Sequence, residues 1–133
     1  MFKIIFGVFI VLHGLVHLLY FGQSRRMFEL QPGMVWPDGS WAFSWLLSDG
    51  MTRWLTSTLL ILAAIGFTVG GVGLLLKHSW WSSVVVGSAV FSCSIYILCW
   101  DGRWQDMDDK GLVGVLINLG IVTAVLFFQW PKI

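Results

Sequence analysis

Phe9-Ile10-Val11-Leu12-His13-Gly14-Leu15-Val16-His17-Leu18-Leu19-Tyr20 is apolar enough for a membrane interior, yet carries two histidines four residues apart. On a helix four residues advance about 400°, so His13 and His17 fall one above the other on a single stripe. An imidazole facing lipid is costly, so that stripe looks inward, at protein, water or a ligand. With one Lys before it and no small-x-small cleavage site behind it, the run reads as a retained span rather than a leader.

Composition supports this outward from the first span. Of 133 residues 57% are hydrophobic and only 11% charged, with mean hydropathy +0.82. Soluble domains carry about 25% charged residues, so most of this surface does not face water. A net charge of +1 and no basic stripe exclude a nucleic-acid interface. Nine tryptophans suit the boundary between headgroups and hydrocarbon. Cys93 and Cys99 share one apolar run with no C-x-x-C or zinc spacing, and read as packing residues.

Four apolar runs, over 4–21, 55–76, 80–100 and 112–130, predict four antiparallel spans in one domain, residues 1–133. The fold expected is all-α, an integral membrane four-helix bundle. Gly7 and Gly14 mark one close-packing face; Gly66, Gly70, Gly71 and Gly73 mark another. Lys77-His78-Ser79 is a tight turn. The long first loop is punctuated at Pro32-Gly33 and at Trp36-Pro37-Asp38-Gly39. Beyond it, Ser40 or Asp38 caps a short interfacial helix carrying Trp41 and Trp45 at i, i+4, either a lid over the bundle mouth or an aromatic anchor in the bilayer. Asp49 is expected to cap the second span.

An even number of spans puts both termini on one side and loops one and three on the other. All seven acids, Glu29, Asp38, Asp49, Asp101, Asp106, Asp108 and Asp109, fall on the loop face, with Arg25, Arg26, Arg53, Arg103 and Lys110. Lys3, Lys77 and Lys132 are unopposed at the other end, which favours cytoplasmic termini.

Measured from the loop face, His17, Tyr96 and Asn118 lie at similar depth on three spans, with His13 one turn deeper. With Trp41 and Trp45 above, they form the candidate ligand-binding set, a polar pocket for a lipid-like or quinone-like molecule. No metal is assigned, because two histidines fall short of the three protein ligands a catalytic zinc needs, and no span contains an acid. A catalytic residue is not identifiable. The expected partners are the bilayer, a hydrophobic small molecule, and membrane-protein partners or further copies of the chain. The function expected is ligand binding or service as an accessory subunit of a membrane complex. The alternative is a membrane redox enzyme or cofactor-binding subunit that uses His13 and His17.

His13-Gly14 within the first span, and Gly70-Gly71-x-Gly73-Leu-Leu-Leu before a tight turn, resemble the DoxX-like membrane proteins. Those are four-helix bundles, some associated with quinone-linked or thiol redox complexes. The long Trp-rich first loop and the absence of an acid from span two set this chain apart, so the resemblance implies the architecture alone.

Overall fold

A computed structural model describes residues 1–30, 32–33, 36–37, 39–102, 104 and 111–132. Asp38, Arg103, Asp106, Asp108, Asp109 and Lys110, the expected loop cap and most of the acidic third loop, lie outside the described residues. The chain forms α1 (Phe2–Ser24), α2 (Asp49–Leu75), α3 (Trp81–Leu98) and α4 (Leu112–Val122), the last continuing into a π-helical turn over Thr123–Phe127. Among the described residues it is an all-helical, four-helix protein. Three helices, α1 to α3, are long and apolar enough to cross a bilayer, which makes this a small membrane protein.

The helix ends correct several sequence boundaries. α2 begins at 49 rather than 55 because Ser48, not Asp49, is the cap: its Oγ accepts from the Met51 amide at 3.3 Å. α1 and α2 close alike. Arg26 and Lys77 take the left-handed conformation, and the following amides, Met27 and His78, reach back to the carbonyls of Gly22 and Gly73 at 2.9 and 2.8 Å. α4 with its π turn spans 112–127, not 112–130, or about 24 Å at 1.5 Å per residue. Thr123 Oγ donates to the Leu119 carbonyl at 2.8 Å, and the Phe128 amide then bonds five residues back to Thr123 at 3.3 Å. Left-handed Gln129 and then Pro131 end the helix.

The expected short interfacial helix is instead a run of hydrogen-bonded turns over 41–46. This segment docks on the C-terminus of α3, whose last carbonyls lack helical partners. Trp41 Nε1 donates to Ile97 O at 2.6 Å, Ser40 Oγ to Leu98 O, and the Trp41 amide to Trp100 O at 2.8 Å.

Glycines set the helix spacing. A methyl group on Gly71 would lie 3.0 Å from the Gly7 carbonyl and 3.1 Å from the Val11 amide, so α1 and α2 meet backbone to backbone. On another face of α2, a methyl on Gly70 would lie 2.6 Å from a Val85 methyl of α3. At one end of the bundle Phe2 and Phe6 pack on Trp130, with ring centroids 6.3 and 4.9 Å apart, bringing the start of α1 beside the end of the chain.

The core has two apolar clusters. Phe6, Ile10, Phe67, Leu74, Trp81, Val85, Ala89, Ile121 and Val125 fill the terminal half. Trp36, Leu60, Ala63, Ile95, Tyr96 and Cys99 fill the half under the first loop. In chain position the fully buried residues leave a gap after Ile10 on α1, between Ala89 and Ile95 on α3, and before Ile121 on α4, with half-buried Phe91 of the second cluster and Ile117 of the first at its edges. His13, His17, Ser92 and Asn118 occupy that gap.

Candidate functional site

Each of these four residues comes to the middle layer through helical spacing. His13 and His17 share the inward stripe of α1, Ser92 lies one turn before Tyr96 on α3, and Asn118 faces inward on α4; all four are buried. His17 Nδ1–H donates to the carbonyl of His13 at 3.0 Å. A carbonyl only accepts, so in a neutral ring His17 Nε2 must itself be an acceptor. It receives the Ser92 hydroxyl proton across 2.7 Å. Asn118 Nδ2–H donates to Ser92 Oγ at 2.9 Å, and His13 Nε2–H donates to Asn118 Oδ1 at 2.7 Å. The chain of bonds thus closes on His13 with every donor running in one direction.

The direction follows from satisfaction of the bonds. Turning the Asn118 amide over would direct the Ser92 proton to Asn118 and leave His17 Nε2 facing the Ser92 oxygen with no proton between them. The two histidines therefore hold opposite tautomers, Nδ1–H on His17 and Nε2–H on His13. Ring contacts tighten the layer: His13 and His17 centroids lie 5.3 Å apart, and Phe67 of α2 lies 4.9 and 5.2 Å from them.

Of the residues singled out in the sequence, His13, His17 and Asn118 come together in this ring. Tyr96 borders it, with its centroid 6.1 Å from that of His17. Trp41 and Trp45 stay on the surface, 56% and 79% exposed. The first-loop tryptophan that enters the bundle is Trp36, 5% exposed, whose ring lies 5.6 Å from both Tyr20 and Tyr96. Tyr20 and Tyr96 are themselves 5.3 Å apart, so the three aromatics form a closed triangle over His17. Gly111, left-handed, lies flat on the Tyr96 ring where any side chain would collide.

Sequence reasoning passed over three participants. Ser92 is legible only through its i, i−4 relation to Tyr96, since a small polar side chain in an apolar run gives no other signal. Gln23 is fully buried at the end of α1: its Nε2 donates to the Trp36 carbonyl at 3.3 Å and its Oε1 accepts from the Leu30 amide at 3.0 Å, tethering the first loop. Trp36 itself was read as part of a turn. The cysteines are free thiols; Cys99 shares a hydrogen bond with Thr56 Oγ at 3.0 Å.

Chemically, the ring leaves little for coordination. Both Nε2 atoms and His17 Nδ1 are engaged, so a metal or haem iron binding at Nε2 would have to displace Asn118 or Ser92. Among the described residues, no three His, Cys, Asp or Glu side chains gather to share an ion. No family model, curated protein or solved structure matches the chain.

Proposed function

We propose that this is a non-enzymatic multi-pass membrane protein of one four-span domain, which binds a lipid-like or quinone-like amphipathic molecule at its loop-face end. The observation that carries the reading is the burial of Trp36 against Tyr20 and Tyr96 over His17. A long loop tethered by Gln23 brings a large aromatic side chain into the end of the bundle, above a polar layer, as a site for an amphipathic molecule requires. The engaged imidazole nitrogens favour this reading over a redox centre on His13 and His17. Crossing by α4, termini on one side with that side cytoplasmic, and a place among DoxX-like bundles belong to the same proposal. The contact of Phe2 and Phe6 with Trp130 supports its topology.

Mass spectrometry of small molecules extracted from mildly purified protein tests the binding. One amphiphile is expected to be retained above the bulk lipid by the native chain and lost from a folded Trp36→Ala variant. Equal retention by the variant, or no retention by the native chain, defeats the proposal. A co-purifying membrane protein without any small molecule would support an accessory subunit instead, and a visible absorption band would restore the redox reading. For topology, cysteines placed singly at 45 and 104, with Cys93 and Cys99 replaced, should react with an impermeant reagent from one side, and a cysteine at 79 from the other. Opposite labelling of 45 and 104 would dispose of the four-span arrangement.

A further inference from the structure

Two buried side-chain polar atoms among the described residues have no hydrogen-bond partner, Trp36 Nε1 and Thr52 Oγ1. They differ in kind. A threonine hydroxyl in a helix rotates and can turn to the carbonyl four residues back. An indole N–H is a single donor in a fixed direction, and leaving it unmet in an apolar setting costs the full desolvation of the group. It sits in the apolar cluster at the loop end, with the polar ring below and Gln23 already committed to the Trp36 carbonyl and the Leu30 amide.

Resting on the reading that this end of the bundle holds an amphiphile, we infer that the Trp36 indole N–H recognises a neutral carbonyl oxygen of that molecule. The group must accept a hydrogen bond, because Trp36 offers only a donor. It is uncharged, because no Asp, Glu, Lys or Arg among the described residues is buried, and a carboxylate or phosphate beside Trp36 would be desolvated without a counter-ion. An ester, amide or ketone carbonyl meets both conditions. The nitrogen has essentially no open surface in this conformation, so the oxygen reaches it through a shift of the indole.

The carbonyl belongs either to the acyl ester of a bilayer lipid or to a free amphiphile, and one experiment separates the two. The native chain, with 15N-labelled tryptophan, is placed in vesicles of diester phosphatidylcholine and in vesicles of the dialkyl ether analogue, which has the same chains and no carbonyl. Solid-state NMR then follows the Trp36 indole proton, assigned by its absence in Trp36→Phe. A downfield resonance in ester vesicles that moves upfield in ether vesicles is the expected result and assigns the oxygen to a lipid. A downfield shift that appears in ether vesicles only when a long-chain methyl ester is added supports the inference with a free amphiphile as the source. An identical resonance under all three conditions overturns it and leaves the N–H to water. Contacts between the Trp36 ring protons and acyl methylenes report on the underlying reading. If they persist while the indole shift stays fixed, only the carbonyl assignment fails; if they are absent throughout, no amphiphile occupies this end and both ideas fall.

Discussion

Against α2, α1 presents Gly7 and Gly14 and lets backbone approach backbone; against α4 it presents His13, and a 2.7 Å hydrogen bond reaches across to Asn118. The first contact depends on the absence of side chains and is filled by dispersion alone. The second depends on specific side chains, because the backbones of α1 and α4 stand further apart than those of α1 and α2. In a bilayer, lipid tails are as apolar as leucine, so association rests on close packing and on interhelical hydrogen bonds. This bundle uses one on each side of α1. The steric contact sets distance. The polar one sets rotation and depth, because the ring closes only when α1, α3 and α4 are in register.

The comparison breaks most severely at the glycines. Gly71→Leu is expected to cost about 3 kcal/mol or more, since the new side chain meets the stiff Val11 side chain and the backbone of α1 behind it. Val72→Leu, at an exposed neighbouring position, should change the detergent melting temperature little. Similar losses for the two would mean that the α1–α2 contact is not backbone-tight.

On the polar side the effect is smaller and conditional. Asn118→Leu strips His13 Nε2–H of its acceptor and Ser92 of a donor, at a cost of about 1–3 kcal/mol. Pairing it with His13→Leu removes both ends of the bond and should recover part of that loss, a coupling near the 0.6 kcal/mol average for bonds between membrane helices. Strict additivity in this double-mutant cycle would show that the two side chains do not interact.

The smallest effects fall on the loop tryptophans. Trp45→Phe loses only a bond within its own turn, from Nε1–H to Ala42 O at 2.7 Å, and at this 79% exposed position should leave stability within about 0.5 kcal/mol. Trp41→Phe should cost about 1 kcal/mol through loss of the bond to Ile97 O. A large loss at Trp45, read from the same melts, would place that side chain inside the bundle.

What the sequence makes legible is whatever helical periodicity controls. The apolar runs and the stripe of His13 and His17 could be read directly, and depth counted from the loop face brought Asn118 and Tyr96 to the same layer. Periodicity says nothing of how one helix is rotated against another, so the bonding order through Ser92 could not be foreseen. Loop one obeys no period at all. Trp41 and Trp45 share a spacing that suits an interfacial helix, whereas Trp36 enters the core because Gln23, a polar residue at the end of an apolar run, tethers the chain beside it. The early end of α4 also escaped notice, since Thr123 fits an apolar run and its effect lies in a side-chain bond to the preceding turn.

The central claim is that His13 and His17, one turn apart on one stripe, are neutral and hold opposite tautomers because a one-way ring of hydrogen bonds fixes them. Solid-state 15N NMR of histidine-labelled protein in lipid vesicles at neutral pH measures this directly, with His78→Gln removing the third signal. The account predicts a proton on Nδ1 of His17 with a bare Nε2, and a proton on Nε2 of His13 with a bare Nδ1. A doubly protonated His17 facing a His13 protonated only at Nδ1 would mean that the ring runs in the opposite direction, and would contradict it.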